Sequence, residues 1–237
     1  MAFTKVSNSL LADNSVTSAK FADGAVTSAK FADGAVTSTK IADDAVTSAK
    51  IADDAVTSAK VSSDIKVAGV ETIYVPAAAM YPNSTAGCAD LEQVELSNGP
   101  ELKCLDFDAS SDENAQFTVA FPKSWNEGTV TFQAFFTVTG TNTGTVAWGL
   151  SGVSFADNAD MNTAFGTNVV ATAKAHSGTS NDMDVTAVSG AVTITGAAVD
   201  TQTYFQVMRD VSADTQTGDA RLLGIKLFFT TDASNDA

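Results

Sequence analysis

The chain has 237 residues, 44% of them hydrophobic and 8% aromatic, and a formal net charge of −15. That acidity argues against nucleic-acid binding, which needs a basic footprint, and two cysteines, Cys88 and Cys104, are too few for a disulfide scaffold. The opening MAFTKVSNSLLADNS holds no apolar signal core, and no stretch approaches the ~18 apolar residues of a membrane span; a soluble chain with no secretory leader and no membrane partner is expected.

Charge divides the chain. Residues 1–66 hold seven Lys and eight Asp, a net of −1, whereas residues 67–237 hold six basic and twenty acidic residues, a net of −14. The first segment is a repeat. VTSAKFADGA stands at 16–25 and again at 26–35, followed by VTSTKIADDA (36–45) and VTSAKIADDA (46–55). VSNSLLADNS (6–15) is a degenerate first copy and VTSAKVSSDI (56–65) a decaying last one. A repeat is read before anything else, because it sets the architecture.

Apolar residues recur every five positions: Val16, Phe21, Val26, Phe31, Val36, Ile41, Val46, Ile51, Val56 and Val61. In a helix a step of five turns ~140°, so this set would spiral round the rod and form no stripe. A coiled coil needs 3.5-residue spacing, and in a strand an odd step alternates between faces. The repeat therefore mixes two local structures. Thr17 suits an N-cap, and Ser18 to Asp23 is expected to make one short helical turn. The next slot, filled by Asn14, Gly24, Gly34, Asp44 and Asp54, then takes the left-handed backbone those residue types tolerate best. Val16 and Phe21 fall at the spacing of a hydrophobic staple, although Lys20 stands where a capping box wants Glu.

One Val and one Phe or Ile per ten residues cannot build a core within one chain. Identical chains around an axis can, with the lysines at one phase (Lys20, Lys30, Lys40, Lys50 and Lys60) able to pair with aspartates at another (Asp13, Asp23, Asp33, Asp43 and Asp53) on neighbours, each exposed pair contributing at most ~1 kcal/mol. A disordered linker would share the Ala, Ser, Thr and Asp content but would not keep the apolar phase. The array AVTSAKIADDAVTSAK (45–60) resembles the decapeptide arrays in fibre proteins of tailed bacteriophages. The resemblance implies a homotrimeric shaft or attachment arm over residues 1–66.

From Val70 the period becomes two. Expected inward sets are Phe117, Val119 and Phe121; Val130, Phe132, Ala134, Phe136 and Val138; Val146, Trp148 and Leu150; and Leu223, Ile225, Leu227 and Phe229. Further strands are expected in 71–75, 101–108, 168–173, 183–188, 191–195 and 203–208. NGPE (98–101), WNEG (125–128), TGTNTG (139–144) and HSGTSND (176–182) read as turns, and 156–166 as a short helix or long loop. About ten short strands without a helical pattern predict a mainly β protein, with an antiparallel, jelly-roll-like β-sandwich over 67–237. KSWNEGTVTFQAFFT (123–137) and ARLLGIKLFFTTDAS (220–234) resemble a β-domain of structural proteins of marine phages.

The sequence offers little chemistry. The one histidine, His176, is expected at the surface of a turn rather than as a base. Asp106, Asp108, Asp112 and Glu113 in DFDASSDEN suggest Ca²⁺ on paper. Ser111, however, replaces the turn glycine of an EF-hand, and Phe117 stands where its bidentate Glu belongs. Asp182 and Asp184 would share a strand face, as a glycosidase pair might be imagined to, but no cleft is announced. Trp125 and Tyr204 could meet a glycan, with core and turn roles preferred. Cys88 and Cys104 are either bridged or free.

No enzyme, cofactor or metal is therefore expected. The reading is a structural protein of a tailed-phage virion: a homotrimeric head fibre or capsid decoration (cement) protein on the virion surface, assembled in the host cytoplasm. It would be joined to capsid or tail proteins through its N-terminal segment. The alternatives are a tail fibre whose head binds a host surface receptor and, further off, a glycan-acting enzyme. Neither nucleic acid nor membrane is an expected partner.

Overall fold

The computed structural model describes residues 17, 22–25, 27–53, 55–56 and 69–232. The chain divides into two units, Met1–Val61 and Ser62–Ala237; the expected junction at 66/67 lies outside the described residues.

In the first unit the described copies hold two tight turns each, not one helical segment of six residues. Three-residue 3₁₀ turns occupy Ser28–Lys30, Ser38–Lys40 and Ser48–Lys50. Thr37 and Thr47 precede them in extended conformation without a side-chain capping bond, and Ile41 and Ile51 follow, again extended. A second turn closes by hydrogen bonds from Ala25, Ala35, Ala45 and Ala55 N–H to the carbonyls of Ala22, Ala32, Ala42 and Ala52. Gly24, Gly34 and Asp44 sit at its third position with φ of 73°, 72° and 61°, the sign pattern of a type II turn. The expected longer helical turn fails because 3₁₀ geometry is sustained only in short pieces, and the β-branched Ile after Lys favours extended backbone.

The second unit is a β-sandwich. Its strands are β1 (Gly69–Pro76), β2 (Tyr81–Pro82), β3 (Glu92–Val94), β4 (Leu102–Phe107), β5 (Glu113–Val119), β6 (Trp125–Val138), β7 (Thr145–Val146), β8 (Trp148–Phe155), β9 (Val169–Val170), β10 (Lys174–Ala175), β11 (Asp184–Val185), β12 (Ile194–Thr195), β13 (Gln202–Arg209) and β14 (Ala220–Thr231). The first sheet runs β11-β6-β14-β4-β3, with β1 also beside β14. The second runs β12-β8-β13-β5-β2, with β9 also beside β8. Pairing is antiparallel except between β12 and β8. A two-stranded ribbon joins β7 to β10. The chain crosses repeatedly between sheets, which gives the jelly-roll-like form.

Alternation makes the core. Phe117 and Val119 from β5, Val130 to Val138 at every second place on β6, and Val146, Trp148 and Leu150 are all buried, as is Phe121. Aromatic rings tie one sheet to the other. Phe107 meets Trp148 edge-on at 4.9 Å, Phe136 meets Trp148 at 5.7 Å, and Phe121 meets Phe229 at 5.3 Å. Each fully buried side chain of this size contributes about 1.5–3 kcal/mol over an exposed one.

Two expectations about phase are corrected. In β14 it is Leu222 that is fully buried, while Leu223 is only half-buried. A β-bulge between Leu222 and Gly224 inserts one residue opposite β6, and Ile225, Leu227 and Phe229 return to the core beyond it. Gly224 is required there: a Cβ would lie 2.4 Å from the Tyr74 hydroxyl and 2.7 Å from the Val75 carbonyl. WNEG is not a turn between strands but the kinked start of β6. Glu127 takes φ 57°, the Gly128 N–H donates to Asn126 Oδ1 at 3.0 Å, and the register against β14 shifts. Segment 156–166 is a loop.

Candidate functional site

The sequence singles out the repeat, and there the apolar side chains stand in solvent. Phe31, Val36, Ile41, Val46, Ile51 and Val56 are between 43% and 60% exposed. Val16, Phe21, Val26 and Val61 lie outside the described residues, as do the turn positions Asn14 and Asp54. Two of the lysines, by contrast, find local partners. Lys40 Nζ donates to the Ala35 carbonyl at 2.8 Å, and Lys50 Nζ to that of Ala45 at 2.7 Å. Each lysine thus curls back five residues to the carbonyl that ends the preceding turn. Sequence reasoning set these lysines against aspartates on neighbouring chains. Among the described residues no ion pair within the chain involves the repeat, which leaves Asp33 and Asp43 free of a cation from their own chain.

In the sandwich His176 is a correction. It is 3% exposed rather than a surface residue, and its Nδ1 lies 2.7 Å from Asp184 Oδ2. Asp184 is opposite Phe136 in the β11–β6 pair, so its side chain shares the inward face with that phenylalanine. Lys174 Nζ stands 3.6 Å from the other carboxylate oxygen. The His176 N–H is anchored on the Gly144 carbonyl. Its Nε2 is buried without a hydrogen-bond partner. Asp182 goes elsewhere: it lies in the preceding turn and accepts from Ser177 Oγ at 2.7 Å. The two aspartates therefore do not face each other as a hydrolytic pair would.

The acidic run between β4 and β5 is spent on neighbours. Asp106 accepts from Arg221 Nε at 3.1 and 3.0 Å. Hydrogen bonds from Ser110, from its side chain first and then from its backbone N–H, hold the Asp108 carboxyl below the usual range. Asp112 accepts from the Val211 N–H at 2.9 Å, and Glu113 from the Asp108 N–H at 2.7 Å. Burial raises the Glu113 pKa, an effect that this bond opposes. A cavity of about 290 Å³ is lined by Cys88, Asp106, Asp108, Glu113 and Asp219 among others. Among the described residues no three His, Cys, Asp or Glu side chains converge as metal ligands. Cys88 and Cys104 are both free and buried.

Sequence reasoning missed Arg209, which ends β13 fully buried. Its Nε donates to Asp214 at 2.8 Å, and its terminal nitrogens donate to the carbonyls of Phe107, Gly218 and Gln216 at 2.8–3.0 Å. An Arg at a strand end beside a run of Asp carries no signal that separates it from a solvated one. Trp125 is core, stacked on Phe121 at 4.2 Å. Tyr204 is half-buried on the outer face of the second sheet, edge-on to Phe155 at 5.8 Å.

No protein-family model matches this sequence, and neither does any curated protein. Solved structures with a similar chain path include the CBM36-1 domain of a multidomain xylanase from the hindgut metagenome of Trinervitermes trinervoides. It is 13% identical over 66% of this chain and 96% of that one, with a TM-score of 0.36. A family 11 carbohydrate-binding module from Clostridium thermocellum, in complex with a mixed-linked tetrasaccharide, is 8% identical over 68% of this chain and 87% of its own, with a TM-score of 0.35. An arabinose-bound MgGH51 α-L-arabinofuranosidase is 16% identical over 64% of this chain, with a TM-score of 0.38; this chain spans 23% of that enzyme's length.

Proposed function

We propose that this chain is a structural, non-catalytic protein of a tailed-phage virion, a homotrimeric head fibre or capsid decoration protein. The repeat is its shaft or attachment arm and the β-sandwich its head. One observation carries the reading: six consecutive apolar members of the repeat stand 43–60% exposed while backbone hydrogen bonds close the same turns and Lys40 and Lys50 bond back to them. Such a segment keeps apolar surface that copies of itself can cover, at ~25 cal/mol per Å² removed from water. Three chains in register would bring like residues to one level at every fifth position. The acidic body, with a net of −14 over 67–237, favours solvent and keeps neighbouring heads apart. The N-terminal segment would dock on capsid or tail proteins. Multivalent heads would raise avidity for any surface they touch.

Light scattering of the full chain tests the assembly: the expected mass is about three times 24.3 kDa, and a clean monomer overturns it. Phe31→Ser with Ile41→Ser is expected to reduce that mass while the sandwich keeps its thermal transition. Antibody labelling of particles then distinguishes a capsid location, with many copies, from a tail location, with few.

A further inference from the structure

We propose that the outer face of the second sheet, around Tyr81 and Tyr204, binds an uncharged carbohydrate chain. The register places the residues. Tyr81 on β2 is opposite Gln116 on β5, Gln116 is opposite Gln206 on β13, and Tyr204 is opposite Thr118. Directly opposed residues share a face. The inward neighbours on the same strands, Phe117 and Phe205, are fully buried, so this row points outward. Tyr81 is 46% exposed and Tyr204 partly so. Two strand spacings separate the tyrosines' strands, roughly 10 Å across the sheet, which leaves two rings on one gently twisted platform.

Between and beside the rings the side chains are amides in a fixed relay. Asn83 Nδ2 donates to Gln206 Oε1 at 2.9 Å, Gln206 Nε2 donates to Asn114 Oδ1 at 3.0 Å, and Asn114 Nδ2 donates to the Ala86 carbonyl at 3.2 Å. The relay sets which way each amide points. It leaves Asn83 Oδ1 buried and without a hydrogen-bond partner, out of a ligand's reach, so the phenols at the surface supply the contacts to hydroxyls. Burial, and secondarily the Tyr204 phenol, raise the Tyr81 pKa, so Tyr81 presents a neutral hydroxyl rather than a phenolate.

The chemistry of the patch names its ligand. Flat rings cover the apolar faces of sugar rings, while amides and phenols donate to and accept from hydroxyls. The rows of Tyr81, Gln116 and Gln206 and of Thr118 and Tyr204 hold no charged side chain, in a body of net −14. That field repels an anionic polymer, and the neutral patch offers a cationic one no partner. A neutral polyol fits both conditions. The inference concerns the sandwich alone and does not depend on the repeat assembling.

The test uses the full chain on a printed array of neutral and anionic glycans, then calorimetric titration with neutral hexasaccharides of glucose, xylose, mannose and galactose. At least one neutral glycan is expected to bind. Tyr81→Ala is expected to weaken it tenfold or more without moving the thermal transition, while Tyr204→Phe, which keeps the ring, retains most of the affinity. Binding of no neutral glycan at millimolar concentration, a preference for anionic glycans, or affinity indifferent to Tyr81→Ala overturns the proposal. A chain that trimerises but binds no sugar overturns it while leaving the fibre reading intact.

Discussion

Arg209 and Asp214 form a salt bridge at 2.8 Å with the guanidinium side chain at 0% and the carboxylate at 2% exposure. Three backbone carbonyls take further guanidinium donors, two of them, Gln216 and Gly218, from the loop between β13 and β14 and one, Phe107, from the end of β4. A planar fork with several fixed donors suits that task, and an ammonium does not. Asp214 also accepts from the Gln216 N–H, so one ion pair folds the loop and ties it to the neighbouring strand.

Removing one partner strands the other charge in a dry site. Asp214→Ala is therefore expected to destabilise the sandwich by about 3–5 kcal/mol, and Arg209→Lys to recover little of the loss of Arg209→Ala. Urea unfolding followed by tryptophan fluorescence checks both, since Trp148 is opposite Arg209 in the β13–β8 pair. An Asp214→Ala midpoint equal to wild type would mean that the loop holds without the pair.

His176 and Asp184 make a second buried polar contact, at the inward face of β11. His176→Ala removes the hydrogen-bond donor at 2.7 Å and leaves Asp184 with Lys174 at 3.6 Å. A loss of about 1–3 kcal/mol is expected, the cost of an under-satisfied buried acceptor. Asp184→Asn should cost less in a His176→Ala background than in wild type, because the contact is already gone. A double-mutant cycle measures that coupling.

Burial first, and then the nearby Glu113 for Cys88 and Asp106 for Cys104, push the two thiols up to about 12 and about 11 from the ordinary 9.0. Folding thus holds the thiol protons more tightly than the unfolded chain does. The associated stability is whole below pH 9 and drains as pH rises toward 11 and 12. Two consequences are expected: an alkaline loss of thermal stability, relieved in Cys88→Ala, and slow alkylation at pH 8 in the native state. The thiolate is the nucleophile, so two reactive thiols per chain should appear only on unfolding.

The sandwich was legible in the sequence wherever a strand buries one face for its whole length. The alternation in β5, β6 and β13 reports a two-sided environment, and Phe132, Phe136 and Phe205 sit where that period puts them. It failed at Leu223, because a bulge is a backbone event that shifts the phase by one without changing the residue types. It failed for His176 and Arg209 for a different reason. Both are buried because the fold brings a carboxylate or backbone carbonyls against them, and spacing along a chain does not record either. Of the tyrosine–amide face the sequence singled out Tyr204 alone, since its rows come from three strands of which β2 has only two residues.

In the repeat the sequence marked the position that needs a left-handed backbone but not the turn it belongs to. Gly34 takes φ 72° with nothing within 4 Å of a built Cβ, and Asp44 takes φ 61° at the equivalent place. Space is thus not the constraint; conformation is. Gly34→Val puts a β-branched side chain into the left-handed region, at a cost of about 1–2 kcal/mol or more, and is expected to disorder its turn. Asp44→Gly removes a milder strain but frees the unfolded chain, so the two effects nearly cancel and the repeat should be little changed. Hydrogen exchange at the Ala35 and Ala45 amides reads each turn separately, because those amides close the two turns. Loss of protection at Ala35 alone in Gly34→Val, with Ala45 unaffected, would establish the turns as independent modules. Protection lost at both would mean that consecutive copies fold together, and equal protection in Gly34→Val and wild type would overturn the turn assignment.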